Sequence, residues 1–282
     1  MSSYKEVLRQ AVTVLEAAQI PEADADAWQL FSYVTGMRRA EYFMKLMEEM
    51  PKAYKEQYDA LLEQRCQRIP LQYITGSQEF MGFEFLVSPA TLIPRQDTEI
   101  LVEEAARSAE GKRVLDICTG TGCILLSLAK LCKLSGAVGT DIVPEAVETA
   151  GKNAERLEIP AEFYCGDLFQ AVPAGERFDM IVSNPPYIPS KVIDTLMPEV
   201  RDYEPVTALD GDSDGLKFYR EIIRTAPEYL TEHGEIFFEI GCEQAADVSA
   251  LLKVRGFEDI RVIKDLAGLD RVVCAVWKQK RP

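Results

Sequence analysis

The chain has 282 residues, 47% hydrophobic and 27% charged, with a formal net charge of −15. This is the composition of a globular protein of one large domain or two, and no apolar run approaches the ~18 residues of a membrane span. The acidic balance disfavours a duplex nucleic acid as partner, because phosphates require a basic face, and even before Ser88 there are 9 Lys+Arg against 13 Asp+Glu.

The chain opens with helical patterns. Ser3-x-x-Glu6 is a capping box, and Val7, Ala11, Val14, Leu15 and Ala18 then share one face. Pro21 suits the first turn of a second helix, which places Ala27, Leu30, Phe31 and Val34 inward and stops at Gly36. A third helix is predicted from Arg39 to Glu49. A fourth is predicted from Lys52 to Gln67, with Tyr54, Tyr58, Leu61 and Leu62 inward. Short links between amphipathic helices indicate a small bundle over residues 1–70. Residues 71–93 change character. Phe80, Phe83, Phe85 and Val87 around Gly82 predict a β-hairpin, a linker before a domain over 94–282.

That domain alternates regularly. After a helix from about Asp97 to Ala109, strands are predicted at Arg113 to Ile117, Ala137 to Thr140, Ala161 to Cys165 and Phe178 to Ser183. Helices at Cys123 to Cys132 and Pro144 to Arg156 separate the first three. A helix from Gly215 to Leu230, a strand from Glu235 to Ile240 and a helix from Gln244 to Val254 follow. Two strands, Phe257 to Ile263 and Arg271 to Trp277, close the chain. Such alternation predicts an α/β fold with a mostly parallel, doubly covered sheet, and the short final loop makes the last pair antiparallel. The start, Met-Ser-Ser-Tyr-Lys-Glu, has no apolar core of a secretory signal. The seven cysteines contain no Cys-x-x-Cys pair, so free thiols in a reducing cytoplasmic compartment are expected. The single histidine, His233, sits in a turn-like Thr-Glu-His-Gly. This disfavours a Ser-His-Asp hydrolase or a multi-histidine metal site, and no metal is expected.

Four strand ends carry chemistry. The first is followed by Asp116-Ile117-Cys118-Thr119-Gly120-Thr121-Gly122, a glycine turn that lets a ligand approach the backbone. The second ends at Asp141, 19 residues after Gly122, where an acid can accept two ribose hydroxyls. The third ends at Asp167-Leu168, where an acid can receive an adenine amino group. The fourth ends at Asn184-Pro185-Pro186-Tyr187. Two prolines make a stiff corner that fixes the Asn184 side chain and nearby carbonyls, and Tyr187 can offer an aromatic face. The missing third glycine of the dinucleotide fingerprint disfavours NAD(P). The corner suits a planar amino or amide nitrogen beside a methyl donor. S-adenosylmethionine is therefore the expected cofactor, held by Cys118, Thr119, Gly120, Thr121, Gly122, Asp141, Asp167, Leu168 and Asn184. The substrate is expected at Asn184, Pro185, Pro186 and Tyr187, with Asn184 and Pro185 catalytic.

These motifs come with Leu92-Ile93-Pro94-Arg95-Gln96-Asp97-Thr98-Glu99, Pro198-Glu199-Val200, Tyr203-Glu204-Pro205 and Asp214-Gly215-Leu216. Glu239-Ile240-Gly241 and Asp265-Leu266-Ala267-Gly268-Leu269-Asp270-Arg271 complete the set. Together they resemble the PrmC/HemK family of peptide chain release factor glutamine methyltransferases over nearly the whole chain. The resemblance implies a seven-stranded S-adenosylmethionine-dependent methyltransferase sheet and an N-terminal helical domain that docks the protein substrate. It also implies N-methylation of the glutamine in a Gly-Gly-Gln loop of release factors, with no direct nucleic-acid or membrane partner. Cys118, Gln96 and Asp212 depart from the family's usual residues. An adenine amino-methyltransferase acting on DNA or RNA uses the same corner chemistry and is the alternative.

Overall fold

The computed structural model describes residues 2–278; Met1 and residues 279–282 of the expected 1–70 and 94–282 domains lie outside the described residues. The chain divides into two compact units. One comprises the residues up to Gly76 together with Met197–Tyr203, and the other comprises Ser77–Leu196 with the residues from Glu204 onward.

The first unit is built on α1 (Tyr4–Ala17), α2 (Ala23–Thr35), α3 (Arg39–Lys45), α4 (Lys52–Cys66) and α5 (Leu71–Thr75). Ser3 and Glu6 close the capping box on α1 reciprocally, so two orphan donors are satisfied. Phe31 is fully buried and packs edge-on against Tyr4, Tyr42 and Tyr58. Two residues expected inward, Val14 and Tyr54, are exposed. The third helix ends at Lys45 and not at Glu49. Residues beyond it turn back to the chain start, where the carbonyls of Leu46 and Glu48 take the free N–H groups of Lys5 and Tyr4. Residues 71–75 are helical and belong to this unit, where the sequence indicated the beginning of a linker. Met197–Tyr203, which includes α10 (Pro198–Arg201), is held by charge: Arg65 pairs with Asp26 at 2.6 Å and with Glu199 at 3.0 Å, and Arg68 pairs with Glu199 at 2.6 Å. The loop helix α9 (Ser190–Ile193) precedes this segment.

The second unit begins with the hairpin β1 (Ser77–Phe80) and β2 (Phe83–Leu86), which is part of this unit and not a free linker. The buried Asn153 amide explains why. It accepts from Leu86 N at 2.7 Å and donates to Leu86 O at 3.0 Å and Thr121 O at 2.9 Å, tying the hairpin to the glycine turn. After α6 (Gln96–Ala106) come β3 (Arg113–Ile117), α7 (Cys123–Leu131), β4 (Gly136–Asp141), α8 (Pro144–Arg156), β5 (Glu162–Cys165) and β6 (Phe178–Ser183). They are followed by α11 (Lys217–Thr225), β7 (Leu230–Glu239), α12 (Ala245–Arg255), β8 (Phe257–Lys264) and β9 (Asp270–Trp277). Pro227 lies in a short 3-10 turn after α11, which therefore stops before the expected Leu230.

The seven strands lie in the order β5-β4-β3-β6-β7-β9-β8. All neighbours are parallel except β7 with β9 and β9 with β8. Strand alternation feeds both faces. Leu115, Ile117 and Ile181 meet the α11 and α12 side, while Val114, Met180 and Val182 meet the α6 and α7 side. From β3 the chain winds outward to β5 and then returns to β6 on the other side of β3. The order reverses there, and ligand crevices of open α/β sheets form at such a switch point beyond the carboxyl ends of the strands. Among the described residues no helix is long and apolar enough to cross a membrane.

Candidate active site

A cleft of about 330 Å³ opens at that edge. Its wall includes Cys118, Thr119, Gly120, Thr121, Asp141, Asp167, Leu168, Asn184 and Pro186. Four strand ends separated in sequence are thus brought to one place. Gly122, Pro185 and Tyr187 do not line it directly.

The glycine turn is shaped by its backbone. Cys118, Gly120 and Gly122 have φ of 61°, 55° and 78°. Glycine adopts this region freely. Cys118, standing where the family has its first glycine, adopts it at a cost of about 1–2 kcal/mol. Three contacts hold the turn: Thr119 N donates to Thr140 O at 3.0 Å, Gly122 N to Thr119 O at 2.8 Å and the Thr119 hydroxyl to Asp116 Oδ2 at 2.6 Å. Asp116 is fully buried. Burial raises its pKa to about 7 against the help of Thr119, and the nearby Asp141 charge pushes in the same direction. Burial also pushes the Cys118 thiol well up, so this cysteine is a packing residue of the wall and not a thiolate.

Asp141 accepts from Gly120 N at 2.9 Å on one oxygen and from Val143 N at 3.0 Å on the other. A carboxylate has about four acceptor positions, so each oxygen keeps one for a ligand hydroxyl. Asp167 lies exposed after β5 and accepts from Gln170 Nε2 at 3.3 Å, and Leu168 at φ 47° closes that side. A ribose-bearing ligand with an apolar body fits this donor set. The acid lies at the second strand end, backbone N–H groups lie beside it, and Leu92, Ile142 and Phe218 wall the rest.

At the corner, Asn184 lines the cleft and its Nδ2 donates to Thr98 Oγ1 at 3.4 Å, while no hydrogen bond from a described residue reaches its Oδ1. Pro186 has no N–H, and no hydrogen bond from a described residue reaches the Pro185 carbonyl. Tyr187 was expected to offer a stacking face. Its ring instead packs against the core, and its hydroxyl donates to the buried Glu239 Oε1 at 3.2 Å. Burial drives the Tyr187 pKa far up, so the phenol stays protonated. The backbone after the corner is clamped: Gln244 Nε2 donates to Tyr187 O at 3.0 Å and to Gly215 O at 3.2 Å. A Cβ on Gly215 would sit 2.3 Å from Tyr187 O, and one on Gly211 would sit 2.8 Å from Tyr187 Cα, so only glycine allows this approach. Sequence reasoning did not identify Thr98 and Gln244 as site residues. Thr98 lies inside the quoted Leu92–Glu99 stretch, which was a usable signal; Gln244 had none. The cleft cations Arg95 and Lys217 are paired with Glu204 and, at 3.6 Å, with Asp212.

The family model of the PrmC N-terminal domain matches residues 6–76, and that of the methyltransferase small domain matches residues 95–198. The release factor glutamine methyltransferase of Geobacter sulfurreducens is 45% identical over 246 residues, covering 86% of each chain. That of Clostridium acetobutylicum is 40% identical over 278 residues, covering 96% of this chain and 98% of the relative. The crystal structure of a methyltransferase from Pyrococcus furiosus superposes with a TM-score of 0.54 at 17% identity, over 70% of this chain and 90% of that one, and shows the shared fold.

Proposed function

The chain belongs to the release factor glutamine methyltransferase family, and we propose that it methylates the side-chain amide nitrogen of a glutamine in a peptide chain release factor, the one in its Gly-Gly-Gln loop. S-adenosylmethionine supplies an electrophilic methyl group. The observation that carries the reading is the Asn184 amide, which lines the cleft and donates through Nδ2 to Thr98 while its Oδ1 takes no hydrogen bond from a described residue.

The chain's own residues then act as follows. Asp141, with the N–H groups of the 118–122 turn, holds the ribose end of the cofactor. Asp167 receives the adenine amino group. Asn184 Oδ1 and the Pro185 carbonyl accept the two N–H bonds of the substrate amide. An amide lone pair is delocalised into its carbonyl and is a poor nucleophile. Two fixed acceptors hold the nitrogen, favour its rehybridisation and aim the lone pair along the line of transfer. The new N–C bond forms as the S–C bond breaks, and the nitrogen, now strongly acidic, releases its proton afterwards to water. No prior general base is needed.

Two features favour a protein over an adenine substrate. The net charge is −15, and the cations at the cleft, Arg95 and Lys217, are already ion-paired. With no helix suited to span a membrane among the described residues, a cytoplasmic location agrees with substrates of the translation machinery. Mass spectrometry of a release factor incubated with the enzyme and S-adenosylmethionine should find one methyl group on that glutamine. Asn184→Ala should slow single-turnover methylation by about 10²–10³, the usual loss for one preorganised transition-state hydrogen bond. Asn184→Asp keeps an acceptor and should lose less. A normal rate for Asn184→Ala would remove Asn184 from the chemistry.

A further inference from the structure

We propose that Gln244 is a positioning residue for methyl transfer. It holds the downstream end of the Asn184–Tyr187 corner, and through it the two acceptors that the substrate amide meets. The inference rests on the reaction proposed above, which gives Gln244 no task of its own.

Gln244 stands immediately before α12, and its side-chain amide makes three hydrogen bonds to backbone groups of definite polarity. Oε1 accepts from Gly241 N at 2.9 Å, while Nε2 donates to Tyr187 O at 3.0 Å and to Gly215 O at 3.2 Å. An N–H only donates and a carbonyl only accepts, so all three bonds form in one orientation of the amide. The residue is itself a fixed post. Gln244 N donates back to Gly241 O at 2.9 Å, and Val248 N donates to Gln244 O at 3.0 Å in the first turn of the helix. A Cβ on Gly241 would crowd Oε1 at 3.0 Å, which accounts for a glycine at that place.

Tyr187 is thereby held at two points. Its hydroxyl donates to Glu239 Oε1 at 3.2 Å, and its carbonyl takes Gln244 Nε2. No other hydrogen bond from a described residue reaches that carbonyl. Both anchors come from one short connection, the end of β7 and the residues before α12. The next residue, Ile188, pairs through its backbone with Leu209 and Gly211, loop residues outside the sheet. That loop runs on to Gly215, whose carbonyl the same Nε2 holds, just ahead of Lys217 and Phe218 in the cleft wall.

The prolines make this anchor matter. Pro185 and Pro186 have fixed φ, so the corner moves as a stiff piece and not joint by joint. A stiff piece is placed by its two ends. At the upstream end Ser183 pairs with Ile117 in the sheet. At the downstream end the ladder has stopped, and Gln244 supplies the constraint it no longer gives. With Tyr187 O released, the piece swings about Ser183 and carries Asn184 Oδ1 and the Pro185 carbonyl together out of line with the transfer. A misplacement of about 1 Å can cost about 10²-fold in rate.

The test uses the full-length enzyme, a release factor and single-turnover methylation. Gln244→Met is similar in length but makes none of the three bonds, and should lower the rate about tenfold, as for one ordinary hydrogen bond lost at the transition state. Gln244→Glu keeps an acceptor for Gly241 N but turns an oxygen toward the two carbonyls, and should lose more than the methionine variant. The calorimetric dissociation constant for S-adenosylmethionine and the steady-state KM for the release factor should each stay within about threefold, so that the loss falls on kcat. In an Asn184→Ala background, Gln244→Met should cost less than about threefold, because one of the two acceptors it places is gone; a merely structural glutamine would cost its full tenfold there. If either variant fails to fold, the other decides. A normal rate for Gln244→Met beside a slowed Asn184→Ala refutes the anchor and leaves the proposed reaction standing, and a loss confined to KM or to cofactor affinity refutes it equally. If the wild-type enzyme leaves the factor unmethylated, the reaction itself fails and the anchor has no acceptors to place.

Discussion

Replacing Asp141 with alanine separates cofactor binding from chemistry. In the structure each of its oxygens already takes one backbone N–H, from Gly120 at 2.9 Å and from Val143 at 3.0 Å. One acceptor position remains on each oxygen, matching the two hydroxyls of a ribose. Hydrogen bonds to a charged group contribute about 1.5–3 kcal/mol each. Two such bonds amount to roughly 3–6 kcal/mol before water reclaims part of the loss, and about 1.4 kcal/mol is tenfold in affinity. Asp141→Ala should therefore weaken S-adenosylmethionine binding at least tenfold, and by about 10²–10³ if both bonds form and the 118–122 turn loosens. Asp141→Asn keeps one acceptor oxygen without the charge and should fall between, near tenfold. Titration calorimetry on the enzyme without release factor reads this directly. Unchanged dissociation constants for both variants would mean that Asp141 only caps the turn.

Two further outcomes are expected. Asp116 is carried into the fold with its pKa raised from 3.8 to about 7. Because the protonated form is favoured there, its contribution to stability is present below about pH 4 and lost as pH rises through about 7. The Tm of Asp116→Asn relative to wild type should thus improve between pH 5 and pH 8, and an equal difference at both pH values would refute the assignment. A fragment beginning at Ser77 should carry Glu199→Gln, since Glu199 loses both Arg65 and Arg68. It should bind S-adenosylmethionine within a few fold of wild type and methylate the intact release factor at least about tenfold more slowly; equal kcat/KM would remove the helical unit from substrate docking.

Most of the fold was legible because its signals are local. The strand pattern at Arg113–Ile117 and Phe178–Ser183, the glycine turn and the proline corner each depend on residues within a few positions of one another, and the corresponding elements match to within a few residues. The features that were misread depend on distant partners. The third helix stops at Lys45 because the free N–H groups at the start of α1 take the carbonyls of Leu46 and Glu48. Residues 71–75 are helical within a unit that also holds Met197–Tyr203, a segment fixed by Arg65 and Arg68 through Glu199. Tyr187 looked like a stacking platform because the sequence could not show that a buried carboxylate at Glu239 would claim its hydroxyl.

The same distinction explains what the corner needs from the rest of the chain. Two prolines can fix a backbone by themselves, since the constraint is covalent. Among the described residues no hydrogen bond reaches the Pro185 carbonyl, but the prolines cannot choose between the two flips of the neighbouring amide. The amide is met by a distant partner, Thr98, whose Oγ1 takes Asn184 Nδ2 from a helix more than 80 residues earlier in sequence, while Glu239, more than 50 residues later, takes the Tyr187 hydroxyl. Nor can the prolines hold the chain that follows them, which is why Gln244 takes Tyr187 O and glycines stand at 211 and 215. The quoted stretches around Leu92–Glu99, Asp214–Leu216 and Glu239–Gly241 are thus parts of one device. Each supplies to the tetrapeptide at 184–187 a constraint that its own residues lack.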